Sequence, residues 1–228
     1  MRPSRIATDG MTAITRHALA SGGLSCPAWQ RLALVALCVA SVGAAAGADF
    51  GDYAASPEVQ RVAHWIGESG DNAGLPFMLI DKVSARVFVF DAAGKLKGHD
   101  PALLGSARGD KTAAGIGDLS LSAIRPEDRT TPAGRFVAHL DKDIKGRDVL
   151  LIDYDASIAL HPLVPGTPKE RRAERLRSET PDDNRISFGC INVQPAFYHS
   201  VVAPAFKQTP GIVYILPEAS PASDWFGR

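Results

Sequence analysis

Two apolar runs, Phe77-Met78-Leu79-Ile80-Asp81-Lys82 and Ala85-Arg86-Val87-Phe88-Val89-Phe90, are separated only by Val83-Ser84. No other feature constrains the fold as strongly. A gap that short has no room for a crossover, so the runs must pair antiparallel as a hairpin. Further runs rich in β-branched and aromatic residues predict strands over 135–140, 149–154, 157–160 and 211–216, the last closing the sheet. Shorter ones start at Lys95-Leu96-Lys97 and Ala102-Leu103-Leu104. Helices are few. Ser56-Pro57-Glu58 is a helix start, Val59, Val62, Ala63 and Ile66 recur at helical spacing, and Gly70 and Gly74 end it. A second short helix is expected over 195–202. A strand-dominated order with few crossover helices predicts a mainly β domain with a mixed or antiparallel sheet, not a doubly wound one.

Residues 1–48 read as a signal peptide. Arg2, Arg5, Arg16 and Arg31 precede or flank the apolar run Leu32-Ala33-Leu34-Val35-Ala36-Leu37-Cys38-Val39-Ala40, and Ala46-Gly47-Ala48 forms a small-residue cleavage site. Met11 is an alternative start, and an uncleaved anchor is the rival reading. The run is short for a membrane span. An exported protein of the periplasm or cell envelope is expected, touching membrane only through an uncleaved signal. The whole chain is formally neutral. Removing the segment takes away four arginines and one acid, Asp9, and leaves a mildly acidic domain. With no basic cluster, nucleic acid is not an expected partner. The expected organisation is a signal at 1–48, a helical segment at 49–76, a catalytic domain at 77–217 and a tail at 218–228.

Two segments break the strand pattern. Residues 105–130 are rich in Gly, Asp and Ser and predict an irregular surface loop. Residues 164–186 form a polar insertion whose middle, 169–177, has the composition of a short charged helix. That insertion is as readily a solvated surface as a binding loop.

Cleavage near Ala48 would remove Cys26 and Cys38 and leave Cys190 alone, with no disulfide partner. A lone thiol is either a small buried hydrophobe or a reactive group. Cys190 follows Ser187-Phe188-Gly189, and His161 lies upstream at the end of an apolar run. A histidine can take a thiol proton and return it to a leaving amine. Gly189 permits dihedrals that other residues avoid, so backbone N–H groups there can face an oxyanion. Arg185, Ser187, Phe188 and Asn192 are the remaining candidates for substrate or oxyanion contacts. His64, His99, His139 and His199 read as structural or exposed, and Phe77, Phe88 and Phe90 as core.

These elements together resemble the L,D-transpeptidase (YkuD-type) catalytic domain. Thr131-Pro132-Ala133-Gly134-Arg135-Phe136 is similar to its TPxGxF element, and Ser187-Phe188-Gly189-Cys190-Ile191-Asn192 to its S/T-H-G-C signature. His161 falls where the family has its upstream histidine. The resemblance implies a β-sandwich-like fold, Cys190 as nucleophile, His161 as base, and peptidoglycan stem peptides as substrate. The acceptor it implies is an amine of another stem, a D-amino acid or a lipoprotein lysine. It implies no metal and no organic cofactor, and no HExxH or CxxC pattern is present.

Two departures stand out. Phe188 replaces the histidine of the signature, and the insertion lengthens the interval between His161 and Ser187. Phenylalanine offers no hydrogen bond, so an apolar wall is its expected role. The alternatives are a hydrolase on the same scaffold and a non-catalytic peptidoglycan-binding protein.

Overall fold

The computed structural model describes residues 48–227. The signal-peptide reading therefore lies outside the described residues, apart from Ala48. Ten strands run in chain order: β1 (Phe77–Asp81), β2 (Arg86–Phe90), β3 (Leu96–Pro101), β4 (Leu104–Gly105), β5 (Gly134–Lys142), β6 (Asp148–Asp153), β7 (Ile158–Pro162), β8 (Arg185–Ser187), β9 (Ile191–Val193) and β10 (Gly211–Ile215). Eight form one mixed sheet in the order β3-β2-β1-β10-β5-β6-β7-β9, and β4 pairs with β8. The pairs β1–β10, β7–β9 and β4–β8 are parallel; the other ladders are antiparallel. The structure is mainly β with a few short helices, as the strand-dominated sequence requires.

The sheet works as two leaves joined along β5. The first half of β5, Gly134 to Ala138, pairs with β10, and His139 to Lys142 pairs with β6. One core lies between the leaves. It joins Met78, Ile80, Val87 and Val213 of one leaf to Leu150, Ile152, Leu160 and Ile191 of the other. A second core lies on the opposite side of the first leaf. There Phe77, Leu79, Phe88, Phe90 and Tyr214 meet Val59, Val62, Ala63 and Ile66 of helix α1 (Pro57–Ser69). A leaf buried on both faces needs unbroken apolar strands, which is why β1 and β2 do not alternate.

α1 begins where its sequence predicts. Ser56 Oγ accepts from the Val59 amide at 3.3 Å and donates to Asp81 Oδ2 at 2.9 Å, so one hydroxyl caps the helix and ties it to the hairpin turn. Asp81 Oδ1 accepts from the amides of Val83 and Ser84, closing that turn. Gly70 ends α1 in the left-handed conformation at φ 66°.

Several expectations need correction. Residues 211–216 do not close the sheet: β10 lies at its centre, between β1 and β5. Residues 102–104 contribute mainly a single bridge, Leu103 to Asn192, with β4 only two residues long. β8 and β9 were not anticipated, and β8 occupies residues read as the end of the insertion. The charged helix is shorter than predicted, α2 (Arg172–Leu176), flanked by 3-10 turns. The helix after Pro195 passes through a π-helical stretch, Tyr198–Val202, between α3 (Pro195–Phe197) and α4 (Ala203–Ala205). Among the described residues, no helix is long and apolar enough to cross a membrane.

Candidate active site

The two sequence elements set apart by their pattern meet at one turn. Thr131, fully buried, donates from Oγ1 to the Gly189 carbonyl at 2.7 Å, and the same oxygen accepts the Gly105 amide at 2.9 Å. Ser187 Oγ donates to the Cys190 carbonyl at 2.6 Å and accepts the Gly189 amide at 3.1 Å. The turn between β8 and β9 is thus fixed from both sides before Cys190 is reached.

Gly189 cannot be anything else in this geometry. Its φ is +132°, and a Cβ there would sit 2.8 Å from the Thr130 carbonyl oxygen and 2.9 Å from Ile158 Cδ1. Gly189→Ala should therefore cost about 1–3 kcal/mol in backbone strain alone. The larger effect is expected on turnover, because the turn must shift and carry Cys190 with it. A variant with wild-type turnover and melting temperature would show that the turn geometry is dispensable.

The half-buried Cys190 lies just ahead of β9. Its Sγ donates to the Ser157 carbonyl at 3.5 Å. Burial pushes the thiol above its ordinary range, and the Ala159 amide offsets this only in part. Burial thus favours the thiol over the thiolate.

His161 opposes Asn192 in the parallel β7–β9 ladder. His161 and Asn192 are partners in that ladder and share a face of the sheet. Cys190 immediately precedes Ile191, the first residue of β9. No hydrogen bond joins Cys190 to His161 in this conformation. His161 Nδ1 lies 2.9 Å from the Pro162 carbonyl, which can only accept, so Nδ1 carries the proton and Nε2 holds the basic lone pair. Burial lowers the His161 pKa, and the guanidiniums of Arg147 and Arg172 lower it further, against the Pro162 carbonyl and Asp143. The neutral imidazole is favoured. It lines a pocket of about 360 Å³ with Asp143, Arg147, Val149 and His199.

The other candidates separate into two groups. Asn192 belongs to the site. It is buried, its Nδ2 donates to the Cys190 carbonyl at 3.4 Å, and its Oδ1 has no partner. Phe188 is half-buried against the inter-leaf core, and the Arg129 guanidinium stands 4.3 Å above its ring centroid. The ring is thus a core contact with a cation on its outer face, more than a bare wall. Arg185 faces away. Its Nη2 donates to Glu218 Oε2 and to the Lys82 carbonyl, both at 2.6 Å, so it anchors β8. His139 and His199 are exposed. Among the described residues, no cluster of three or more His, Cys, Asp or Glu is placed to hold a metal.

Sequence reasoning passed over a buried ionic cluster behind the turn. Lys82 Nζ donates to Asp110 Oδ1 at 2.8 Å, to the Gly109 carbonyl at 2.6 Å and to the Thr131 carbonyl at 2.9 Å, with Glu218 at 3.7 Å. Asp110 also accepts from the amides of Glu218 and Ala219. Burial pushes its carboxyl up, but Lys82 and these amides outweigh that and hold it below the usual range. A lysine ending an apolar run was the available signal, and it reads equally well as a strand end meeting solvent.

No protein-family model matches the sequence, and no curated protein does. Three solved structures illustrate its likeness in fold. The helical cell shape determining protein Pgp2 from Campylobacter jejuni is 16% identical, with a TM-score of 0.43, over 69% of this chain and 55% of that one. An L,D-transpeptidase from Xylanimonas cellulosilytica is 14% identical, with a TM-score of 0.39, over 62% and 60%. An L,D-transpeptidase from Mycobacterium smegmatis is 14% identical, with a TM-score of 0.37, over 61% and 58%. This chain spans less than two thirds of each of these structures.

Proposed function

We propose that this chain is a cysteine-dependent acyltransferase of the cell envelope that acts on peptidoglycan stem peptides. The observation that carries the reading is the 2.7 Å bond from Thr131 to the Gly189 carbonyl. It joins the two family-like elements at the turn that carries Cys190. His161 Nε2 takes the Sγ proton as sulfur attacks the stem carbonyl carbon. The tetrahedral oxyanion is met by backbone amides of the turn. The C–N bond then breaks, and the imidazolium returns its proton to the leaving D-alanine amine. A thioester remains on Cys190. An acceptor amine attacks it, loses its proton to His161 and restores the thiol. Asn192 Oδ1, buried without a donor, suits an N–H of the bound peptide or of the imidazolium. Export follows from residues 1–48 and belongs to the same proposal, as does the division into signal, helical segment, catalytic domain and tail.

Hydrolysis on the same scaffold is the second reading, favoured by Phe188, which brings no hydrogen-bond donor to the cleft. Incubating the mature protein with muropeptides and reading products by mass spectrometry separates the two. A crosslinked dimer supports transfer, a shortened stem supports hydrolysis, and no change with intact protein overturns both. A carbapenem-type β-lactam should add one adduct at Cys190. Equal labelling of Cys190→Ala would sink the assignment of the nucleophile.

A further inference from the structure

Arg129 is a held cation without a counter-charge, beside the turn that carries the nucleophile. Its Nε and Nη2 both donate to the Ile124 carbonyl, at 3.3 and 3.2 Å. Its planar face covers Phe188. Among the described residues, Nη1 makes no hydrogen bond and no carboxylate pairs with the guanidinium. The adjacent acid is already taken: Asp128 Oδ2 receives Arg125 Nε at 2.6 Å. Most other arginines of the domain have acidic partners, among them Arg108, Arg135, Arg147, Arg172 and Arg185.

The placement of Arg129 is as specific as its immobilisation. Its neighbour Thr130 presents the carbonyl that crowds Gly189, and Thr131 holds the Gly189 carbonyl. Phe188, under the guanidinium, is two residues from Cys190. Stacking on an aromatic ring and two hydrogen bonds to one carbonyl oxygen fix the orientation of the fork at little further entropic cost on binding. A guanidinium presented in this way is a carboxylate receptor.

We infer that Arg129, seated on Phe188, binds a free carboxylate of the acyl-donor peptide and so selects stems that carry a charge next to the scissile bond. On this view Phe188 is the platform that orients the cation. The identity of the peptide rests on the acyl-transfer reading; the anion site does not. Two carboxylates share the required chemistry: the C-terminal one of the leaving residue and the one on the diaminopimelate side chain.

The test has two arms. The first needs no substrate. Cys190 is alkylated with iodoacetate and with iodoacetamide at one pH, and the ratio of rates is compared. Arg129→Gln should lower that ratio about fivefold, through loss of a positive charge beside the turn that carries Cys190. Arg129→Lys should keep part of it. An unchanged ratio in Arg129→Gln, with an unchanged melting temperature, overturns the proposal. The second arm uses wild-type protein and stem peptides amidated at one carboxylate or the other. Amidation at the contacted carboxylate should raise KM roughly tenfold or more, the value of a charge-assisted hydrogen bond, and that amidated stem should be insensitive to Arg129→Gln. Equal KM for all three stems overturns the proposal even if every Arg129 variant fails to fold. Iodoacetate preference without turnover of any stem would leave the anion site standing and sink the acyl-transfer reading instead.

Discussion

Cys190→Ala should reduce turnover to background, and His161→Ala should lower it by about 10²- to 10⁴-fold, with both variants folded. Neither side chain fills the core. Cys190 and His161 are half-buried, so their loss costs chemistry more than stability. The pH profile carries a sharper expectation. Burial raises the Cys190 thiol and lowers the His161 imidazolium, which favours the neutral form of both. Activity needs the unprotonated imidazole. It should hold as pH falls through about 6.5, the ordinary histidine value, and drop only below it as His161 takes a proton. At the alkaline end, thiolate formation should begin only above the ordinary thiol range. A preformed thiolate–imidazolium pair would invert both limbs. Measured kcat/KM against pH, with the rate of Cys190 alkylation alongside, decides between them. Wild-type turnover in His161→Ala would move the base elsewhere.

The largest effect on stability should come from a residue outside the chemistry. Lys82 is fully buried among two backbone carbonyls and two carboxylates. Lys82→Ala leaves the Asp110 carboxylate without its cation and strips the Gly109 and Thr131 carbonyls of their donor, while Glu218 keeps Arg108 and Arg185. Breaking a buried ion pair from one side typically costs about 3–5 kcal/mol. For a domain of this size that is a fall in melting temperature of roughly 10 °C or more. Salt should restore little of it, because buried charges are poorly screened. The same lysine holds the carbonyl of Thr131, whose side chain clamps the Gly189 turn, so turnover should fall at temperatures where the variant is still folded. A melting curve within a degree or two of wild type would mean that the cluster is not a stability element.

The fold was legible wherever one residue type permits one conformation. The 77–90 hairpin follows from a two-residue gap, and the start of α1 from Ser56-Pro57. Gly189 marks its own strained turn. What sequence did not disclose is relational. β8 and β9 are three residues each, and Gly189 separates them from any periodicity. β10 has the same apolar character as an edge or a central strand would, because only pairing tells them apart. Arg185 sits beside the signature and was read as a substrate contact, but Glu218, distant in sequence, claims it. Arg129 lay next to Thr130 and Thr131 and went unremarked, since an isolated arginine says nothing until its lack of an acid is visible. Cys190 and His161 were readable as two residue types in order. The contact of His161 Nδ1 with the Pro162 carbonyl was not.

The central position of β10 has a consequence for the way the molecule comes together. β1 and β5 each expose one unpaired edge until β10 inserts, and β10 lies near the end of the chain. Before residue 215 is available, β1, β2 and β3 can form one meander and β5, β6 and β7 another, with nothing hydrogen-bonded between them. The closing step waits for a distant segment to add parallel to β1 and antiparallel to β5 at once. Such a step has high contact order and is slow. The two meanders are therefore joined into one sheet only when β10 adds to both.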